Sequence, residues 1–101
     1  MKMKLNLKKA FTGLNGLPLI DGGTNREVMM NETLANNLAI GLSDDPIKML
    51  DIAKELYNGL VELDESDMNK IEEFIKNYKF TNIVKAQLLS EISKAKLKAG
   101  E

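Results

Sequence analysis

The sequence predicts a mostly helical α+β fold in which an N-terminal β-hairpin packs on about four helices. Apolar and polar residues alternate near the start of the chain, a turn dipeptide follows, and apolar residues then recur every three or four positions. The 101 residues, 44% hydrophobic and 29% charged, are typical of one ordinary globular domain. We therefore expect a single domain over residues 1–101, with the hairpin in 1–23, the helical part in 26–98 and a frayed tail in 94–101.

The hairpin prediction depends on a period-two pattern and a turn. The apolar residues Met3, Leu5 and Leu7 alternate with Lys and Asn, as in a strand with one buried face. Asn15-Gly16 supplies the positive φ angles of a tight turn, and residues 17–20 return as a second strand. Pro18 lacks an N–H, which predicts an edge position for this strand. A lone hairpin is marginal in water, so its apolar face must lie on the helices.

The first two helices are predicted from apolar periodicity and helix-start signals. The first helix is expected from about Arg26 to Leu42, with an apolar row of Leu34, Ala35, Leu38, Ala39 and Leu42. The second begins with Asp45 as N-cap and Pro46 at the first position, and it ends at Asn58-Gly59. Its expected buried face contains Ile47, Leu50, Ala53, Tyr57 and Leu60, broadened by Met49 and Leu56.

Two further helices are predicted after a short extended link at Val61 and Leu63. Asp64 is the expected N-cap of the third helix, whose buried stripe contains Met68, Ile71, Ile75 and Tyr78. Thr81 is the expected cap of the fourth, whose apolar row contains Val84, Leu88, Ile92 and Ala95. The short connections predict that successive helices pack as neighbours.

The residue inventory argues against catalysis. The chain has no His and no Cys, which excludes His-dependent triads and His/Cys zinc sites. The carboxylates of Asp64, Glu65 and Asp67 lie at a helix start, where the macrodipole favours acids, and Glu72 and Glu73 fall on the solvent side of their helix. We therefore predict a protein that is not an enzyme, with no catalytic residue, cofactor or metal ion.

The chain also lacks the features of an exported or membrane protein. The basic start is not followed by an apolar run, and no segment approaches the roughly 18–20 apolar residues of a membrane span. The lack of cysteine favours a reducing compartment. We therefore expect a cytoplasmic protein that does not associate with membranes.

Lysines concentrate at both ends of the chain. Residues 1–9 carry a charge of +4, residues 21–75 carry −9, and residues 76–101 carry +4. Folding could merge the two lysine groups into a phosphate-binding patch made of Lys2, Lys4, Lys8, Lys94, Lys96 and Lys98. These lysines are not interleaved with aromatic residues, and the pI is near 5.5, so we favour the interpretation that they are solvated surface residues. A nucleic-acid-binding accessory protein is the alternative to a protein-interaction module.

Met29 and Met30 give the main hint of a protein-binding surface. Two adjacent methionines at the start of the first helix do not both fit a buried row, and exposed methionine suits adaptable contacts. We therefore predict a protein partner or self-association, either by docking on this region or by addition of a strand to the unpaired edge of the hairpin.

Several segments resemble small proteins of uncharacterised function encoded by tailed phages and prophages. The segments that carry this resemblance are Phe11-Thr12-Gly13-Leu14-Asn15-Gly16, Thr33-Leu34-Ala35-Asn36-Asn37-Leu38, Ala53 to Tyr57, Val61 to Asp67 and Val84 to Leu89. The resemblance implies expression in the cytoplasm of a bacterial host cell and a role as an accessory or virion-assembly factor. It supplies no catalytic residues.

Overall fold

The chain forms a two-stranded sheet and four helices in a computed structural model that describes residues 2–99, which confirms the mostly helical α+β class. The elements are β1 (Lys2–Asn6), α1 (Met30–Ile40), α2 (Pro46–Tyr57), β2 (Leu60–Asp64), α3 (Glu65–Asn77) and α4 (Asn82–Ala99). They belong to two compact units, called here the central unit (residues 6–60) and the terminal unit (residues 2–5 and 61–99). No helix within residues 2–99 combines the length and apolarity needed to cross a membrane.

The strand β1 is present where the alternation predicts it, but its partner is β2. The two strands run antiparallel, and Leu5, Val61 and Leu63 are buried while their neighbours are exposed. Residues 60–64 were expected to be only an extended link. They pair with β1 because they offer the same alternation of apolar and polar residues together with a complete set of backbone N–H groups, which residues 17–20 lack at Pro18.

In the terminal unit, α3 and α4 pack together around an apolar core. The predicted N-cap of α3 is confirmed, because Asp64 Oδ1 accepts a hydrogen bond from the Asp67 N–H at 2.8 Å. The most deeply buried helix residues are Met68, Ile71, Ile75, Leu88 and Ile92. The α4 helix continues to Ala99, so residues 94–99 of the expected frayed tail are helical, and residues 100–101 lie outside the described residues, as does Met1.

The central unit begins with an extended segment held by single antiparallel bridges. The bridges join Ala10 to Met29, Thr12 to Pro18 and Ile20 to Glu27. The turn predicted at Asn15-Gly16 is present, but of the two residues only Gly16 has a positive φ, at 79°. The Gly13 N–H donates to the Leu17 carbonyl at 2.8 Å. This hairpin is therefore built from isolated bridges and a tight turn, without long strands.

The helices of the central unit pack against each other. The α1 helix starts at Met30, later than the expected residue 26, because Glu27 and Met29 are held in bridges and Asn25 has a φ of 56°. The predicted cap of α2 is confirmed, since Asp45 Oδ1 accepts from the Lys48 N–H at 3.2 Å. The predicted end of α2 is confirmed as well, because Asn58 is its C-cap and Gly59 follows with a φ of 113°.

A buried asparagine ties α1 to the end of α2. Asn31 is 5% exposed, its N–H donates to the Leu7 carbonyl at 3.0 Å, and its Nδ2 donates to the Tyr57 carbonyl at 2.9 Å. These bonds satisfy backbone carbonyls at the end of the bridged segment and at the last turn of α2. They fix the position of α2 within the central unit, and hence the direction in which its outer surface faces.

Candidate interaction surface

Exposed apolar side chains are concentrated in the central unit. Among residues 2–99, nine of the ten large hydrophobic residues that are exposed belong to residues 6–60, and Leu97 is the tenth. The nine are Leu14, Leu17, Ile20, Ile40, Leu42, Ile47, Leu50, Tyr57 and Leu60. Scattered exposed hydrophobic residues are ordinary, whereas several that lie on one face of an element form a candidate interaction surface.

The α2 helix has more apolar residues than its packing against α1 uses. Its buried residues are Met49, Ile52, Ala53 and Leu56. The expected buried face is therefore partly wrong, because Ile47 is 76% exposed, Leu50 is 44% exposed and Tyr57 is 52% exposed. Apolar residues occur on two sides of this helix, so periodicity alone cannot choose which side is buried. We call Ile47, Leu50 and Tyr57 the α2 outer row.

The α2 outer row lies on one side of the helix and has an acidic border. At 100° per residue, Ile47, Leu50 and Tyr57 fall within one third of the helix circumference, with Lys54 among them. The exposed side chains of Asp51 and Glu55 lie along one edge of the row, and residues 44–58 carry four acids against two lysines. The row is therefore an apolar strip within a surface of negative net charge.

Two further exposed apolar groups belong to the same unit. Ile40, the last residue of α1, is 75% exposed, and Leu42, in the connection that leads into α2, is 96% exposed. Leu42 was expected in the apolar row of the first helix, but that helix ends at Ile40 and Gly41 is extended, so Leu42 lies beyond the packed face. Leu14, at the tip of the Asn15-Gly16 turn, is fully exposed.

The predicted surface at Met29-Met30 is wrong for Met30. Its side chain is only 4% exposed, and Met29 is half-buried and bridged to Ala10. The reason is the late start of α1, because the Met30 N–H donates to the Lys9 carbonyl at 2.8 Å and brings the first turn of α1 into the core. Exposed apolar surface lies on α2 and its preceding connection instead.

The lysines of the predicted terminal patch have different roles. Lys2 and Lys4 are exposed on β1, whereas Lys8 belongs to the central unit, where its side chain lies against Gly59. Lys94 Nζ pairs with Glu91 Oε2 at 3.3 Å, and Lys98 is exposed near the end of α4.

Lys96 joins α4 to α3. Its Nζ lies 3.0 Å from both Glu72 Oε1 and Asn69 Oδ1. The hydrogen bond from Lys96 lowers the pKa of Glu72 below its ordinary value, aided by the charges of Lys96 and Lys76 and opposed by partial burial. Lys96 therefore stabilises helix packing, and its charge is already matched by a carboxylate.

The carboxylates at the start of α3 lie where a helix N-terminus favours negative charge, and one of them caps the helix. An open depression of about 640 Å³ is lined by Met3, Asp64, Glu65, Ser66 and Asn69. Asp64 caps the helix, and Glu65 lies in the first turn, where the macrodipole favours negative charge. Within the part of the chain that the structure describes, no group of three or more acidic residues could hold a metal ion.

An aromatic cluster at the α3–α4 turn was not identified from the sequence as a surface feature. Phe74, Tyr78 and Phe80 are all half-buried, and Tyr78 follows the last residue of α3 instead of completing its buried stripe. The available sequence signals were the four-residue spacing of Phe74 and Tyr78 and the alternation Tyr78-Lys79-Phe80.

No protein-family model matches the chain, and neither a curated protein nor a solved structure is similar enough to count as a match. A functional assignment therefore depends on the surfaces described above.

Proposed function

We propose that this protein is a non-enzymatic protein-interaction module and that the α2 outer row is the centre of its binding surface. The observation that carries the proposal is the surplus of apolar residues on α2, which exposes Ile47, Leu50 and Tyr57 beside a separate buried face. Leaving these side chains in water forgoes hydrophobic stabilisation of about 25 cal/mol per Å² of apolar surface, which a partner would recover. Aromatic and aliphatic residues at the centre of a surface are typical binding anchors.

The chemistry of the row defines the partner class. A partner that covers Ile47, Leu50 and Tyr57 needs an apolar strip of its own, and an amphipathic helix provides one at matching three- and four-residue spacing. The acidic border formed by Asp51 and Glu55 favours a partner with basic residues beside that strip. The proposed partner is therefore a basic amphipathic segment of another protein or of a second copy of this chain.

The biological setting that we propose is the one that the sequence resemblance implies. The segments similar to phage and prophage proteins support a role as an accessory or virion-assembly factor in the cytoplasm of a bacterial host cell. The lack of His and Cys supports a non-enzymatic role that needs no cofactor.

Affinity enrichment with three matched baits tests the proposal. The baits are the tagged wild-type protein, the variant Ile47→Ser/Leu50→Ser/Tyr57→Ser, and the control Leu97→Ser, which changes an exposed hydrophobic residue of the terminal unit. Each bait is exposed to a lysate of the bacterium that carries the gene, and bound proteins, including untagged copies of this chain, are quantified by mass spectrometry. We expect one or a few proteins enriched by the wild type and by Leu97→Ser but not by the triple variant.

A folding control keeps this experiment interpretable. Because the three substituted side chains are exposed, the triple variant should retain the helical circular dichroism of the wild type. A set of bound proteins that is identical for all three baits, or no enrichment by the wild type together with a monomeric mass in light scattering, would contradict the proposed function.

A further inference from the structure

Two asparagine-glycine pairs occur in the chain, and their local sequences are nearly the same. One is Leu14-Asn15-Gly16-Leu17 in the hairpin turn, and the other is Tyr57-Asn58-Gly59-Leu60 at the end of α2. Every other asparagine is followed by a larger residue. Asparagine before glycine is prone to lose its side-chain amide, because glycine has no side chain to hinder attack by its backbone nitrogen. Since the two sequences match, a difference in reactivity between them must come from the fold.

This deamidation needs only water and a change in backbone conformation. The glycine nitrogen loses its proton and attacks Cγ of the asparagine, so that a C–N bond forms and the bond from Cγ to Nδ2 breaks. Ammonia leaves with a proton, and water then opens the succinimide ring at either carbonyl to give aspartate or isoaspartate. Ring closure requires that the glycine N–H leaves its hydrogen bond and that the asparagine rotates about ψ.

The pair at Asn58 is held closed by packing. The Gly59 N–H donates to the Leu56 carbonyl at 2.8 Å, and the Gly59 carbonyl accepts from the Leu7 N–H at 3.0 Å. Gly59 is buried, and Asn58 Nδ2, the leaving group, donates to the Lys54 carbonyl at 3.2 Å. Freeing the Gly59 nitrogen therefore requires the end of α2 to separate from the extended segment beside it.

The pair at Asn15 is exposed at the tip of the hairpin. The Gly16 N–H donates to the Gly13 carbonyl at 3.0 Å, and Asn15 Oδ1 accepts from the Leu17 N–H at 3.0 Å. Both bonds stay within a turn that contains no buried residue, so the turn can open without disturbing the core. The Leu17 N–H also draws electron density from Cγ, which favours attack on that carbon.

We propose that Asn15 is a site of spontaneous deamidation in the folded protein and that the fold protects Asn58 from the same reaction. Isoaspartate adds one carbon to the main chain of the turn, which disrupts the 2.8 Å hydrogen bond from the Gly13 N–H to the Leu17 carbonyl. Either product adds one negative charge to a chain whose formal net charge is −1. The inference is independent of the proposed protein-binding function, because the turn shares no residue with the α2 outer row.

Peptide mass spectrometry of the full chain tests this inference. The native protein is incubated in mildly alkaline buffer, because base promotes deprotonation of the glycine nitrogen, and it is digested at acidic pH, where the reaction is slow. Fragment spectra then locate the mass difference between an amide and a carboxyl group. Asn15 should convert at least about tenfold faster than Asn58, since the bond from the Leu7 N–H alone is worth up to about tenfold in the opening equilibrium.

The unfolded chain and two glutamine variants are the controls. In denaturant the two pairs should convert at similar rates, because their neighbouring residues are alike. Asn15→Gln should remove the main conversion, since glutamine would have to close a larger ring, whereas Asn58→Gln should leave the conversion at Asn15 unchanged. Both asparagines are exposed, so both variants should fold. Ion-exchange chromatography gives a second readout through the added negative charge.

Two results would overturn the inference. One is a ratio of the two rates in the folded chain that is close to the ratio in denaturant, because the fold would then not discriminate between the pairs. The other is a folded chain in which Asn15 stays intact over an interval that converts both pairs of the unfolded chain.

Discussion

The central and terminal units are built in similar ways but present different surfaces. Each contains a pair of packed helices, and in each an aspartate caps the helix that follows an irregular or extended segment, Asp45 for α2 and Asp64 for α3. The central unit exposes nine large hydrophobic residues, whereas Leu97 is the single one among the described residues of the terminal unit. The terminal unit instead carries a half-buried aromatic cluster made of Phe74, Tyr78 and Phe80.

The two units differ in how completely their helices bury apolar side chains. The apolar residues of α3 lie mainly in one stripe, and Met68, Ile71 and Ile75 are fully buried. The α2 helix buries one row and leaves another in water, at Ile47, Leu50 and Tyr57. The second row remains 44–76% exposed after α1 packs on α2, and it is therefore a candidate interaction surface.

The two rows of α2 should differ most in their effect on stability. Leu56→Ala removes a fully buried side chain and should lower the free energy of unfolding by about 2–5 kcal/mol. Ile47→Ala changes a residue that is 76% exposed and should cost no more than about 0.5 kcal/mol. Urea unfolding followed by circular dichroism measures both values, and equal losses would show that Ile47 is buried in solution.

The end of α2 depends on a glycine. Gly59 has a φ of 113°, and an added Cβ would lie 3.2 Å from Lys8 Cβ. Gly59→Ala should therefore lower the free energy of unfolding by about 1–3 kcal/mol. Gly22→Ala is the control, because nothing lies within 4 Å of its added Cβ and its φ is not in the left-handed region. Similar melting temperatures for the two variants would contradict the left-handed conformation at Gly59.

The two aspartate caps allow a direct comparison of the units. Asp64→Ala and Asp45→Ala should each cost about 1 kcal/mol, because each leaves a backbone N–H in the first helical turn without its side-chain acceptor. The cost should be larger at Asp64, whose hydrogen bond is 2.8 Å against 3.2 Å at Asp45. Asp→Asn at either position should retain most of the stability. Thermal unfolding of the four variants checks the order, and a greater loss at Asp45 would reverse the comparison.

The Glu72–Lys96 pair should make a small, pH-dependent contribution to the terminal unit. The folded-state pKa of Glu72 lies below the ordinary value of 4.5, so its stabilisation is fully present above that value and is lost as pH falls through the lowered pKa. Lys96→Met should therefore cost less than about 1 kcal/mol at pH near 7, since both side chains are partly exposed.

Lys98→Met is the control for charge alone. The difference in stability between Lys96→Met and the wild type should shrink well below pH 4.5. A difference that stays constant across this range would mean that Lys96 contributes through the packing of its aliphatic stem and not through the carboxylate of Glu72.

Local signals in the sequence predicted the helix boundaries best. Asp45-Pro46, Asp64 and Asn58-Gly59 act through hydrogen bonds or backbone conformations within a few residues, so their effect could be read without knowledge of the fold. The Asn15-Gly16 turn was predictable for the same reason. Features that depend on contacts between residues far apart in the sequence were harder to predict. The pairing of β1 with residues 60–64 and the late start of α1 depend on partners far along the chain.

The candidate surfaces were harder to predict than the fold. On α2, Met49 and Leu56 were expected only to broaden a buried face that included Ile47, Leu50 and Tyr57. In the structure Met49 and Leu56 are buried, and those three residues are exposed. Met30 was expected outside and is in the core. Lys96 was expected in a basic patch but is paired with Glu72. The sequence did not predict this pair because Glu72 lies on another helix. Periodicity identifies apolar rows, but tertiary contacts decide which row is covered.

Site-specific photo-crosslinking in bacterial cells that express the protein tests the central claim most directly. A benzophenone amino acid replaces Tyr57 on the α2 outer row in one strain and Leu97 of the terminal unit in another, and both positions are exposed. We predict that irradiation yields a discrete covalent adduct with another polypeptide from position 57 and none of comparable yield from position 97. Adducts of equal yield from both positions, or none from position 57, would contradict the assignment of the α2 outer row as the binding surface.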